Sequence, residues 1–139
     1  MSIEPLAFLV GTWEITGRSF DADTDNVVGT TTVTPILDGG MLQLAGTIRV
    51  GDLEVDGLEL VWPDPDTGDF GAHVYSKTGP PIPYRWARPG PATLVHAGAG
   101  ATYTGTISAD GTVITGSWVP DPGQPVHPGS AYDAVMRRV

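Results

Sequence analysis

Short runs rich in Thr, Val, Ile, Leu and Trp recur along the whole chain, and Gly, Pro and Asp separate them. Within the runs, apolar and polar positions alternate. Leu42, Leu44, Gly46, Ile48 and Val50 share one face of their run, and the positions between them hold Gln, Ala, Thr and Arg. A period of two is typical of a β-strand with one buried face. The pattern therefore predicts an all-β protein.

About ten runs fit a strand by their alternation and by the turn residues at their ends. They are residues 11–20, 27–36, 41–50, 53–62, 69–76, 82–88, 93–97, 101–108, 113–119 and 131–139. The turns at 38–40 and 109–111 contain Asp-Gly pairs, which tolerate the positive φ of tight hairpins. Helix is restricted to one turn at residues 3–10, where Pro5 is near the start and the apolar side chains could plug a barrel end.

Many short antiparallel strands with tight connections close most economically into a barrel, because closure removes the exposed edges of a sheet. A β-sandwich is the alternative. Glycines inside strands, such as Gly17, Gly46 and Gly116, indicate the bends of a barrel wall. We predict one domain over residues 1–139: a closed or nearly closed antiparallel up-and-down β-barrel of about ten strands, with a short N-terminal helical turn.

Composition limits the partners. The chain has 139 residues, enough for one domain, and 16 acidic against 7 basic residues give a net charge of -9. That charge repels phosphate backbones and anionic headgroups, so we expect neither nucleic acid nor membrane as a partner. A homodimer is compatible with the sequence.

The expected location is the cytoplasm. Cysteine is absent, which excludes disulfides and thiolate chemistry and gives no reason to assume an oxidising compartment. Residues 1–10 lack the basic and apolar regions of a signal peptide. The scarcity of Lys beside abundant Ala, Gly and Pro suggests a GC-rich bacterial genome.

Several segments resemble known families. The opening Leu9-Val10-Gly11-Thr12-Trp13 and the ending with Arg137 and Arg138 resemble the lipocalin and calycin pattern, in which a strand-one Trp stacks under a C-terminal Arg at the closed end of the barrel. Residues 103–118, residues 132–138 and the turn at 37–40 resemble the bacterial family called domain of unknown function 1579. The resemblance implies a calycin-like barrel and no particular reaction; the segment 120–129 departs from the family pattern.

Four residues are candidates for proton transfer: His73, Tyr75, Glu59 and Arg85. His73 and Tyr75 share one strand face. If this face points into the lumen, His73 could act as acid or base and Tyr75 as a hydrogen-bond donor. If it points outward, both are ordinary surface residues. Glu59 interrupts an apolar run and, if buried, could serve as general acid or base; the alternative is a solvent-facing carboxylate.

Tyr84 and Trp86 alternate with Arg85, and the aromatic pair could stack on a flat ligand whose anionic group Arg85 binds. Tyr103, Trp62 and Arg49 are further candidates for ligand contact. Core filling is the simpler explanation of the aromatic residues. The three histidines show no metal-binding spacing, so we predict no metal and no cofactor.

Three functions are compatible with such a barrel. The first is the binding of a small, largely apolar molecule in the lumen. The second is a cofactor-free cyclase or isomerase that acts on a small hydrophobic substrate in the same cavity. The third is haem binding through His73 or His96, because Gly11-Thr12-Trp13 is shared with nitrobindin-like haem barrels.

Overall fold

A computed structural model describes residues 1–139 apart from the side chain of Pro128, and it contains ten antiparallel strands that form a closed barrel. The strands are β1 (Gly11–Ser19), β2 (Val27–Ile36), β3 (Met41–Val50), β4 (Leu53–Pro63), β5 (Phe70–Tyr75), β6 (Ile82–Gly90), β7 (Thr93–Gly98), β8 (Ala101–Ile107), β9 (Val113–Pro120) and β10 (Tyr132–Arg138). Two 3₁₀ helices, Glu4–Leu9 and Pro128–Ser130, complete the described elements.

Each strand pairs with the next along the chain, and β1 pairs with β10 to close the wall. The prediction of an up-and-down barrel is confirmed. The sandwich alternative is wrong, because the first and last strands share seven register pairs, from Trp13 opposite Arg138 to Ser19 opposite Tyr132. No helix among the described residues is long and apolar enough to cross a membrane.

The N-terminal helix closes one end of the barrel. Its Leu6 and Leu9 are buried together with Trp13, which begins the core on β1. The Trp13 indole Nε1–H donates to the Leu9 carbonyl at 2.8 Å. The Arg138 guanidinium lies 4.6 Å from the centre of the Trp13 ring and donates to the carbonyls of Val10 and Phe8. A cation over an indole face is attracted by the ring quadrupole, so Arg138 fastens the helix to the barrel.

Replacing Arg138 by Ala is expected to lower the free energy of unfolding by about 2 kcal/mol, because two hydrogen bonds from a charged donor and one cation–π contact are lost. The neighbouring Arg137, whose guanidinium donates to the exposed Thr16 hydroxyl at 3.3 Å, is the matched control. Arg137→Ala should change stability by less than about 0.5 kcal/mol. Urea denaturation of both variants measures the difference, and equal effects would contradict the assigned role of Arg138.

Glycines inside strands occur where two backbones come close. A Cβ added to Gly17 would lie 1.8 Å from the carbonyl oxygen of Asp133 on β10, and one added to Gly46 would lie 2.0 Å from the carbonyl oxygen of Thr30 on β2. Neither position can hold a side chain without separating the strands. The tight curvature of the wall therefore depends on glycine at these points.

The other end of the barrel is the mouth. Leu53 and Val55 on β4 and Ile82 on β6 occupy inward positions by strand alternation, yet they are 41%, 40% and 43% exposed. Inward residues on the deeper part of the same strands, such as Val61 and Trp86, are buried. The mouth is therefore open beside β4 and β6, and its rim is apolar.

The connection between β9 and β10 extends over this mouth. The Asp121 N–H donates to the Gly100 carbonyl at 2.8 Å, in the turn between β7 and β8. Farther along, a Cβ on Gly129 would lie 3.4 Å from Leu53 Cδ2, at the start of β4. The segment 120–129 thus reaches from one side of the mouth to the other.

Candidate functional site

A cavity of about 210 Å³ lies inside the barrel. Much of its wall is aliphatic, formed by Ile15, Leu44, Ile48, Val55, Val74 and Met136. Aromatic and ionisable side chains form another part of the wall: Glu59, Trp86, His96, Tyr103, Trp118 and Tyr132. The lumen is therefore mostly apolar, and its polar groups are the ionisable side chains of the aromatic part and the hydroxyls of Thr30, Thr31 and Thr47.

Glu59 is the carboxylate of this wall. Alternation along β4 turns it inward with Val61, and it is only 7% exposed. Its Oε2 accepts the indole Nε1–H of Trp86 at 2.8 Å and lies 2.9 Å from His96 Nε2. Trp86 on β6 and His96 on β7 are direct register partners, so two neighbouring strands present their polar atoms to one carboxylate oxygen. Buried charges need such partners, because an unpaired carboxylate would carry a large desolvation cost.

Aromatic rings hold His96 in place. Its imidazole stacks on the Trp86 indole with ring centroids 3.8 Å apart and planes 17° apart. The rings of Tyr84 and Trp118 each lie 5.1 Å from the imidazole centroid. Because the faces and one nitrogen of the ring are engaged, the orientation of His96 is defined before any ligand arrives.

Three tyrosines surround the same region. Burial raises the pKa of Tyr103 and Tyr132 far above the ordinary value, and burial and the negative charge of Glu59 raise the pKa of Tyr84. The Tyr103 hydroxyl donates to the Ala134 carbonyl at 3.0 Å. These phenols therefore stay neutral, as donors or acceptors, over the physiological pH range.

We expect the protein to lose stability as the pH rises above about 10, the ordinary pKa of a solvent-exposed tyrosine. Above this pH the tyrosines of the unfolded chain lose their protons. In the folded barrel Tyr103 and Tyr132 keep theirs, because burial raises their pKa. Alkaline pH therefore favours the unfolded state. Urea midpoints at about pH 8 and pH 11 measure the loss. Tyr103→Phe and Tyr132→Phe should each reduce the drop between the two pH values; an unchanged drop in both would contradict the burial effect.

Among the residues that the sequence singled out, the structure brings Glu59, Trp86 and Tyr103 together at the cavity wall. Tyr84 also points inward by alternation, but it packs against His96 and Trp118 rather than lining the cavity. The aromatic residues of β6 and β8 thus surround the polar part of the lumen.

The hypothesis that His73 and Tyr75 face the lumen needs correction. Phe70, Ala72 and Val74 occupy the inward face of β5, so alternation places His73 and Tyr75 on the outer face. This is the second of the two alternatives that the sequence left open. The His73 ring lies 4.8 Å from Trp62 and 6.2 Å from Tyr75 by ring centroids, on the outer surface. Neither side chain lines the cavity.

Trp62, Arg49 and Arg85 also lie on the outer face. The Trp62 indole lies against Gly71 of the neighbouring strand, where an added Cβ would come within 2.7 Å of the ring. Arg49 pairs with Glu54 at 2.6 Å, a contact that raises the arginine pKa, and Arg85 lies 3.4 Å from the Asp64 carboxylate. These three residues have local surface partners and do not contact the lumen.

The sequence interpretation gave too little weight to His96, Trp118 and Tyr132. The sequence singles out His96 only as a possible haem ligand, and Trp118 and Tyr132 only as members of the segments that resemble the family. One signal was available: His96 is two residues after the buried Leu94, which assigns it to the inward face of β7. Its approach to Glu59 depends on the curvature of the barrel and has no local signal.

No group of three or more His, Asp or Glu side chains that could hold a metal ion occurs in the part of the chain that the structure describes. No protein-family model matches the chain, and no curated protein matches it either. The geometry of the lumen is therefore the main indication of function.

Proposed function

We propose that the protein binds one small, largely apolar molecule in the lumen of the barrel. The observation that carries the proposal is the cavity itself: about 210 Å³, walled mostly by aliphatic and aromatic side chains and reached through an apolar mouth. Barrels of this kind either fill the lumen with side chains or hold a ligand there. Here the side chains leave space.

The volume indicates the size of the ligand. An apolar protein cavity of about 150 Å³ holds benzene, so about 210 Å³ suits a single ring with a short substituent. The exposed Leu53, Val55 and Ile82 at the mouth offer such a ligand an apolar entrance.

The experiment is a titration with ethylbenzene, followed through the indole N–H resonances of Trp86 and Trp118 in NMR spectra. Both indoles line the cavity, so both signals should shift. Gly57 lines the same cavity, and only a backbone oxygen lies near its missing Cβ, at 3.7 Å. Gly57→Leu should fill part of the lumen and weaken binding at least about tenfold.

Thr34→Leu, which adds a leucine at an exposed position of β2 outside the cavity, is the control and should bind as the wild type does. Absence of any shift at the two indoles would contradict the binding proposal. So would equal affinity of the Gly57→Leu variant and the wild type.

A cofactor-free cyclase or isomerase is the second candidate, and the contact of 2.9 Å between His96 and Glu59 favours it. A histidine oriented by a carboxylate is a common general base, since the carboxylate selects the tautomer and stabilises the protonated ring. Deuterium uptake at the α-carbon of cyclohexanone in D₂O tests for such a base. The wild type should accelerate the uptake and His96→Phe should not; equal rates would contradict the catalytic proposal.

Haem binding, the third hypothesis, has less support from the geometry. His73 lies outside the lumen, and His96 directs Nε2 to Glu59 while its ring stacks on Trp86.

A calycin-like relationship and a cytoplasmic location are part of the binding proposal. The Trp13–Arg138 stacking supports the first, and the absence of cysteine is consistent with the second.

A further inference from the structure

His96 has one nitrogen engaged and one free. Glu59 Oε2 accepts a hydrogen bond from the Trp86 N–H and also contacts His96 Nε2. Because an ionised carboxylate can only accept hydrogen bonds, His96 Nε2 must be the donor in the second contact. The hydrogen of the neutral imidazole is therefore on Nε2, and Nδ1 carries the lone pair. Nδ1 has no hydrogen-bond partner among the described residues. It is also not fully buried, since the one fully buried side-chain nitrogen or oxygen without a partner among these residues is Nε of Arg88. Since the imidazole lines the cavity, Nδ1 is accessible to a ligand there.

A second free polar group lies in the same wall. Tyr132 lines the cavity, and its hydroxyl has no hydrogen-bond partner among the described residues, whereas the Tyr103 hydroxyl is engaged by Ala134. A tyrosine hydroxyl donates and accepts. The aromatic part of the wall therefore offers an acceptor at His96 and a donor at Tyr132.

Charge excludes one class of ligand. The described residues that line the cavity include no Lys or Arg, and its carboxylate, Glu59, is already paired. The whole chain carries a net charge of -9. An anion would enter this lumen against repulsion and would find no cation to bind it.

We infer that the ligand is a neutral monocyclic compound with a hydroxyl group, such as a phenol or a cyclic alcohol, and that this hydroxyl donates to His96 Nδ1. Glu59 is a positioning residue: it holds the hydrogen on Nε2 and so keeps Nδ1 as an acceptor. The aliphatic wall of Ile15, Leu44 and Met136 takes the apolar part of the ring. The inference rests on the proposed binding function and names its ligand class.

The test compares four compounds of one ring each: 4-ethylphenol, 4-ethylanisole, ethylbenzene and 4-ethylbenzoate. Dissociation constants are measured by NMR at one fixed pH for all four compounds. 4-Ethylphenol should bind about tenfold tighter than 4-ethylanisole, which lacks the O–H donor, and 4-ethylbenzoate should bind most weakly.

Two variants locate the effect. His96→Phe keeps an aromatic ring on Trp86 but removes Nδ1, so the preference for the phenol over the ether, taken as the ratio of their affinities for the same variant, should disappear. Glu59→Gln has an amide that can donate to Nε2 and thereby select the other tautomer, so the same preference should fall. A merely structural role of Glu59 would weaken all the compounds together.

The outcomes separate the two proposals. If ethylbenzene binds but the phenol is no tighter than the ether, or if His96→Phe keeps the preference, the inferred ligand class is wrong and the binding function stands. If none of the four compounds binds, the binding function fails, and the ligand class fails with it.

Discussion

Replacement of Glu59 by Ala is expected to lower the free energy of unfolding by about 3 kcal/mol, one of the two largest effects that the structure predicts. The carboxylate is 7% exposed and accepts the Trp86 N–H at 2.8 Å with His96 Nε2 at 2.9 Å. Without it, the buried Trp86 N–H and the partly buried His96 N–H lose their acceptor, and an unsatisfied buried donor costs roughly 1–3 kcal/mol. Urea denaturation followed by circular dichroism measures the loss.

Two controls define the cause. Glu59→Gln keeps one acceptor oxygen for the Trp86 N–H, while its amide N–H can turn toward His96, and it should lose about 1 kcal/mol. Glu54→Ala removes an exposed carboxylate whose partner is Arg49 on the surface, and should change stability by less than about 0.5 kcal/mol. If Glu59→Ala is as mild as Glu54→Ala, the Glu59 contacts do not stabilise the folded barrel.

Gly17→Ala is expected to destabilise the protein by about 3 kcal/mol or more, or to prevent folding. The added Cβ would lie 1.8 Å from the Asp133 carbonyl oxygen, a backbone atom that cannot rotate away. Gly17 lies opposite Ala134 in the pairing of β1 with β10, which closes the barrel. Relief of the clash would require these strands to separate, and overpacking that moves backbone is costly. Thermal unfolding gives the measurement.

Gly57→Ala is the matched control in the same barrel. Only the Tyr75 carbonyl oxygen lies near its Cβ position, at 3.7 Å, so the methyl group fits without strain. The substitution reduces the entropy of the unfolded chain, and we expect it to be neutral or stabilising by up to about 1 kcal/mol. Equal losses in the two variants would show that the close contact at Gly17 does not determine stability.

The sequence by itself determined the strands, because their signals are local. The predicted bounds of β2 and β3 are those of the structure, and the predicted 69–76 differs from β5 by one residue at each end. Alternation and turn residues act over a few positions, so they need no knowledge of the rest of the chain. The number of strands and the brevity of the connections favoured closure, and the pairing of β1 with β10 in the structure excluded the sandwich alternative.

The sequence determined the closed end in part. The resemblance to calycins indicated a Trp13 stacked under a C-terminal arginine and named both Arg137 and Arg138. The structure selects Arg138, since the two neighbours point to opposite faces and Arg138 lies opposite Trp13 in the register of β1 and β10. The choice depends on strand register, which a single sequence does not specify.

Only the tertiary structure decided the functional site. A period of two divides a strand into two faces but does not say which face is inside, so His73 and Tyr75 on β5 could not be distinguished from lumen residues. The structure turns them outward and turns His96 on β7 inward, where it meets Glu59 across a sequence separation of 37 residues. That contact exists because the sheet curves into a barrel, and curvature is a property of all the paired strands together.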